Sequence, residues 1–281
     1  MATGFGAKAS ALDLSRLSLN SVPMVLMYHN IGVVAEDPHD ICVTPTRFAE
    51  QLSWLADRGL RGVSIGELVQ AIGAGTAKGL VGLTFDDGYV GVLENAVPEL
   101  SRHGFTATMF IVTGQLGGTN AWDDGPVWPL MSADQVLQVA AAGMEIGAHS
   151  VTHTRLAGVG VDQLSTEVSG SRSDLSELMR QPVRGFAYPW GNMDAAARQA
   201  VREAGYDYAC SVETPMRSLG IVALPRIVFS QRDGVGRMAA KKFFFKSYTV
   251  AKGTRRQLSY SPRAQAVKQQ LSKLRSGVRP N

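Results

Sequence analysis

Val81-Gly82-Leu83-Thr84-Phe85-Asp86-Asp87-Gly88-Tyr89 is a short apolar run that ends in two adjacent carboxylates and a glycine. A run of this length between Gly82 and Gly88 predicts a strand buried in a parallel sheet, and Val90 to Ser101 predicts the helix after it. The acids then sit where strand hands over to helix. Neighbouring carboxylates repel each other and are costly to desolvate, so a buried pair calls for a positive charge, and a metal ion would supply it. Met144 to Ala148 is another apolar run, and it leads into His149-Ser150-Val151-Thr152-His153. One Asp and two His would leave a coordination position open for water. Each piece also has a bland reading: the acids as a helix N-cap pair, the histidines as surface or satisfied core residues. The combination favours the metal.

Outward from this stretch, strands alternate with helices. Met24 to Tyr28 predicts a strand that ends in His29. Thr44-Pro45 predicts a capped helix start, with Phe48, Leu52 and Leu55 at helical spacing. Leu60 to Ser64, Thr106 to Val112, Arg184 to Tyr188 and Tyr206 to Val212 predict further strands. Ile65 to Ile72, Ala133 to Ala142 behind Ser132, Val161 to Met179 and Asp194 to Ala204 predict helices, and Ile221 to Leu224 and Ile227 to Phe229 are the last apolar pieces. About seven such alternations with short connections predict an α/β fold, a (β/α) barrel of parallel strands in one domain. Working residues of such barrels lie at the C-terminal strand ends. Four strands end in this way: Tyr28 before His29, Phe85 before Asp86-Asp87, Ala148 before His149, and Tyr188 before Pro189-Trp190-Gly191.

The 281 residues are 45% hydrophobic, enough for a sizeable core and inconsistent with a disordered chain. Cys42 and Cys210 match no metal-binding spacing and read as buried thiols in a reducing compartment. Residues 1–22 read as a polar leader and not a secretion signal, and no stretch is long and apolar enough to span a bilayer. A cytoplasmic location is therefore expected, peripheral to the membrane's inner face if the tail binds there. Twelve of the 28 basic residues and none of the 24 acidic ones fall in 237–281, so a tail of +12 follows a body, 1–236, of −8. Its core, Lys241-Lys242-Phe243-Phe244-Phe245-Lys246, mixes cations with aromatics in a way that suits an anionic membrane surface. A nucleic-acid partner is not expected, although the charge would suit a phosphate backbone.

Thr84-Phe85-Asp86-Asp87-Gly88, His149-Ser150-Val151-Thr152-His153 and Phe186-Ala187-Tyr188-Pro189-Trp190-Gly191 resemble the first three motifs of the polysaccharide deacetylases, carbohydrate esterase family four. The resemblance covers about residues 23–229, and 23–236 is expected to be the catalytic domain. It implies a distorted (β/α) barrel in which one divalent metal, usually zinc, assists hydrolysis of the N-acetyl group of an amino sugar in a poly- or oligosaccharide or lipid-linked glycan. It also implies Asp87, His149 and His153 as metal ligands, Asp86 as general base, and the backbone N–H of Trp190 as oxyanion donor. A deformylase of a formamido sugar and a non-catalytic glycan-binding relative are the alternatives; the retained ligands argue against the second.

Two departures from the family pattern stand out. No histidine follows His153, so the late histidine that serves as general acid in familiar members is absent. His29, in Leu26-Met27-Tyr28-His29, is assigned that role instead, as in the exopolysaccharide deacetylase branch with an N-terminal histidine motif. Ala187 stands near the place of the third motif's arginine, and Arg226, in Leu224-Pro225-Arg226-Ile227, is the candidate to orient Asp86. His39 and His103 close no motif and receive no role. Trp122, Asp123, Trp128 and Met131 lie in a glycine-rich insertion, 114–132, whose aromatics suit either sugar stacking or loop anchoring.

Overall fold

The computed structural model describes residues 23–122, 124–212, 220–243 and 245. The predicted leader, Asp123 and the tail from residue 246 onward, with Phe244, lie outside the described residues. In chain order the elements are β1 (Val25–Tyr28), β2 (Asn30–Ile31), β3 (Cys42–Val43), α1 (Pro45–Ala56), β4 (Arg61–Val63), α2 (Ile65–Gly73), β5 (Leu80–Phe85), α3 (Val97–Arg102) and β6 (Thr108–Ile111). They continue with α4 (Ala133–Ala141), β7 (Glu145–Ala148), α5 (Val161–Ser165), α6 (Ser171–Met179), β8 (Gly185–Ala187), α7 (Ala195–Glu203), β9 (Tyr208–Val212) and β10 (Leu224–Val228).

β1 pairs in parallel with both β5 and β10, which closes seven strands into the barrel that the alternation predicts. The distortion comes from β4. It takes the free edge of β5 at Leu80, Val81 and Gly82, while β6 takes the same edge at Thr84 and Phe85. β4 is thus a wedge in the lower half of the gap between β5 and β6.

Helix starts follow their caps: the Thr44 hydroxyl accepts from the Arg47 N–H, and Ser132 with Gln135 forms a full capping box. Two predicted helices are interrupted by a wide, π-type turn. Val92–Ala96 precedes α3 because Pro98, which lacks an N–H, cannot close the ordinary bond to the carbonyl four residues back. Thr166–Gly170 separates α5 from α6, and there the Ser171 hydroxyl donates to the carbonyls of Glu167 and Val168. The last two apolar pieces also differ from expectation, since one strand, β10, runs straight through Pro225 and Arg226.

Alternation along the strands separates two cores. Leu26, Tyr28, Leu83, Phe85, Met109 and Phe186 face outward and pack against the helices. Val25, Phe110, Ala187, Tyr208, Cys210 and Leu224 face inward, and Ile65 and Leu68 of α2 complete that inner cluster. The inner strand positions include Gly147 and Gly185, where large neighbours leave no room for a side chain. Both cysteines are buried free thiols, as expected.

Beyond β10, residues 235–243 are helical and return to α1. Met238 is buried, the Lys241 ammonium donates to the Val228 carbonyl and to Asp233, and Lys242 lies over the Trp54 ring. No helix among the described residues is long and apolar enough to cross a membrane.

A Cβ at Gly185 would fall 2.2 Å from the Tyr208 hydroxyl oxygen and 2.3 Å from its ring carbon, in an interior with no slack. Gly185→Ala is expected to lower stability by about 1–3 kcal/mol in urea unfolding. An unchanged midpoint would mean that the Tyr208 ring moves aside at no cost.

Candidate active site

The interior of the barrel opens at the C-terminal strand ends into a cavity of about 330 Å³. Asp86 and Asp87 enter it from the end of β5, His149 from the end of β7, and His29 from the end of β1. Trp190 lies in the turn that follows β8. The four strand ends singled out in the sequence therefore converge on one mouth.

Alternation along β10 turns Arg226 inward, one layer below that mouth. It has no exposed surface, and its guanidinium makes a two-pronged ion pair with Asp86: Nη1 to Oδ1 at 2.6 Å and Nη2 to Oδ2 at 2.8 Å. Nη1 also donates to the Thr84 hydroxyl at 3.1 Å, and Nε donates to the Ser211 carbonyl at 3.2 Å. The fork geometry suits a carboxylate, and the extra acceptors offset the cost of burying the cation. Burial opposes ionisation of Asp86, but Arg226 first, and then His149, outweigh it and hold the carboxyl below its ordinary value. Asp86 is thus ionised at neutral pH.

Asp87 faces the histidines instead. Its Oδ1 lies 3.4 Å from His149 Nε2 and 3.3 Å from His153 Nε2. Ligand atoms of the three residues lie within 4.8 Å of one another, and all three side chains are buried. His149 Nδ1 is 2.8 Å from the Ala187 carbonyl, which can only accept, so this nitrogen carries a proton. In the neutral ring Nε2 then presents a lone pair to the carboxylate. Asp87 Oδ1 is fully buried and accepts no hydrogen bond of ordinary geometry. Lone pairs facing each other in a buried cluster call for a proton or a cation between them, and the donor set of one carboxylate and two imidazoles is one that zinc accepts. Burial works against a charged His149, yet Asp86 and Asp87 raise its proton affinity above the ordinary value. Burial dominates at His153 and lowers it, while at Asp87 burial is outweighed by His153 and His149, so the carboxyl lies well below its usual value. Asp87, His149 and His153 thus fit a divalent ion.

Backbone strain marks the same place. Among the described residues six non-glycine residues have positive φ, and four of them, Asp87, Ser150, His153 and Trp190, lie in or beside this cavity. Conformations of this kind persist where the surroundings enforce them, and they gather at functional sites. Trp190, at φ 59° and ψ 7°, uses its ring N–H to hold the His153 carbonyl at 3.1 Å. The His153 ring packs between Trp190, at 5.0 Å, and Trp122, at 4.3 Å. Trp122 thus faces the cavity, whereas Trp128 packs on Tyr89 and anchors its loop through the Asn120 side chain. Asp123 lies outside the described residues.

Sequence reasoning missed three parts of this site. His39, given no role, lines the cavity; His103 stays away from it, beside Glu99. The Ala187 position contributes through its carbonyl, which no residue type announces. Glu167, on the predicted helix Val161 to Met179 but given no role, bonds the loop between the two histidines. A buried acid facing a loop rich in free N–H groups would have been the only signal for it.

Comparison with known proteins places these features in a family. Residues 73–209 match the family described as polysaccharide deacetylase. The chain is 25% identical over 207 residues to the Bacillus subtilis protein YxkH, which is named for a polysaccharide deacetylase; the match covers 72% of this chain and 70% of that one. It is 23% identical over 181 residues to a poly-beta-1,6-N-acetyl-D-glucosamine N-deacetylase of Staphylococcus aureus, spanning 61% of each chain. The solved structure of the Streptococcus pyogenes deacetylase PplD, in complex with acetate, superposes with a TM-score of 0.67 at 25% identity, covering 78% of this chain and 96% of that one. The barrel, the two-motif mouth and these likenesses agree: residues 73–209 lie in a polysaccharide deacetylase domain, and the proteins this chain resembles are hydrolases of carbon–nitrogen bonds.

Proposed function

We propose that the protein is a metal-dependent N-deacetylase of an N-acetylated amino sugar within a polysaccharide or oligosaccharide, poly-N-acetylglucosamine being the first candidate substrate. The reading rests above all on one observation: three buried ligand atoms within 4.8 Å of one another, beside a second carboxylate already paired to its own arginine. The relatives named for polysaccharide deacetylation support the substrate class.

Asp87, His149 and His153 would hold the ion. Bound there, a divalent cation acts as a Lewis acid on the acetamide carbonyl and makes water a better nucleophile. Asp86 is assigned the water's proton, because Arg226 keeps it ionised and fixes its direction while leaving each oxygen a further lone pair. The backbone N–H of Trp190, in the strained turn that lines the cavity, is assigned to stabilise charge on the acyl oxygen. The departing amine needs a proton, and His29 is its assigned source, lining the cavity from the end of β1. His39 lines the same cavity from the loop between β2 and β3, so the two histidines are tested together. The basic tail, 237–281, is proposed to hold the enzyme against an anionic membrane from the cytoplasmic side, where a nascent or lipid-linked glycan would be met, although Lys241 of its core is paired to Asp233 and Lys242 lies over Trp54.

Acetate release from short N-acetylglucosamine oligomers is expected from zinc-loaded protein, to stop on chelation and to return when zinc is restored. Asp86→Asn should reduce turnover by about 10²–10⁴-fold with metal still bound. Formate release from a formamido sugar, with none of acetate from the acetamido one, would replace this substrate by its smaller analogue. His29→Ala should cut turnover by about 10²-fold or more and His39→Ala by far less; the reverse order would move the acid to His39. Arg226→Met leaves the Asp86 charge buried without a partner and should cost about 3–5 kcal/mol in urea unfolding. The double variant with Asp86→Asn should regain much of that loss, and strict additivity of the two would refute the pairing.

A further inference from the structure

His149 and His153 are delivered differently. His149 is fixed by the last residue of β7 and by the Ala187 carbonyl. His153 hangs at the end of an irregular loop that contains two left-handed residues, Ser150 at φ 65° and His153 itself at φ 61°. Such a loop leaves backbone N–H groups without sheet or helix partners and gains nothing from its own propensities. Its position must be imposed.

Glu167 imposes it. The carboxylate is buried, 3% exposed, and Oε2 accepts from the N–H groups of Val151 at 3.0 Å and Thr152 at 2.9 Å. Oε1 accepts from the Thr152 hydroxyl at 2.5 Å. No Lys or Arg lies within 4.0 Å of it among the described residues, so loop donors are what stabilise this charge. From the other side, Thr113 and Gly114 donate their N–H groups to the carbonyls of Ser150 and Val151, at 3.1 and 2.9 Å. Gly114 is needed there, since a Cβ would fall 2.7 Å from the Val151 oxygen. The carboxylate stands on the wide turn Thr166–Gly170, the interruption between α5 and α6, and such turns recur where a helix serves a site.

We propose that Glu167 is a positioning residue for the metal site: by clamping residues 151 and 152 it sets the separation of the His149 and His153 rings at which both, with Asp87, hold one divalent ion. It touches neither the ion nor the substrate. This inference rests on the metal site of the proposed function, and it deepens that reading by naming what fixes the ligand spacing. The wide turn in the helix then has a role, which is to deliver a carboxylate to the loop.

The test is zinc affinity of chelator-stripped full-length protein, by competition with a chromophoric chelator, read beside the melting temperature of the metal-free form. Glu167→Ala is expected to weaken zinc binding by about 10–100-fold, the range for groups that orient ligands. Glu167→Gln can still accept from both N–H groups and donate to the Thr152 hydroxyl, so it should restore affinity to within a few-fold of the parent. Leu164→Ala opens the buried side of α5 and removes none of the hydrogen bonds that hold the loop, so it should lower the melting temperature while leaving zinc affinity unchanged. The inference is overturned if Glu167→Ala binds zinc as tightly as the parent, or if Leu164→Ala weakens binding as much. A parent protein that binds no zinc, or binds it equally after Asp87→Asn, would remove the metal reading itself and this inference with it.

Discussion

Arg226 and Asp86 form a buried ion pair within a parallel barrel, and most of what surrounds the site follows from it. Neither charge is tolerable alone at that depth. The guanidinium needs acceptors, and it finds them at two other strands: Asp86 and Thr84 on and after β5, and Ser211 on β9. The pair therefore ties β10, β9 and β5 across the lumen as well as orienting a carboxylate.

The mouth itself is organised by sharing. Asp86 is committed to the arginine, which leaves Asp87 to the histidines; two neighbouring acids are separated in function by which cation each one faces. The left-handed turn at Asp87, φ 74°, is what allows consecutive side chains to point at different partners. Similar strain at Ser150, His153 and Trp190 lets two short loops bring an imidazole and a ring N–H to the same spot. These conformations are unfavourable in isolation and are held by the rigid strands they leave.

Much of this was legible in the sequence, and the reason is positional. In a parallel barrel the strand ends converge, so a polar residue that ends an apolar run is already a site candidate; Asp86, Asp87, His149, His29 and Trp190 were all found that way. Caps at Thr44 and Ser132 were legible because a side-chain oxygen before a helix has a local job. What stayed hidden has no local signature. The Ala187 carbonyl belongs to a residue whose identity is irrelevant to the bond it makes. Glu167 reads as an ordinary helical acid until a loop 15 residues away is folded against it. Arg226 was flagged as a partner for Asp86, but it read as a break between two apolar pieces, because an arginine in a central strand makes sense only when the lumen contains a carboxylate. The wide turns at Val92–Ala96 and Thr166–Gly170 escape a periodicity that assumes unbroken helices.

The closure of the barrel also dictates when the site comes into being. β1 needs β5 on one edge and β10 on the other, and Asp86 meets Arg226 across a sequence separation of 140 residues. A chain emerging from the ribosome has made both acids and both histidines long before it makes β10. Until that strand arrives the first strand has an unpaired edge and Asp86 has no counter-charge, so the early strands cannot settle into their final, dry arrangement. Contacts of such long sequence separation make folding slow and leave it dependent on the last part of the domain to be synthesised. The Asp86 carboxylate is thus sealed in by almost the final piece of the barrel, and a nascent chain released short of residue 226 would carry every proposed metal ligand without the enclosure that surrounds them.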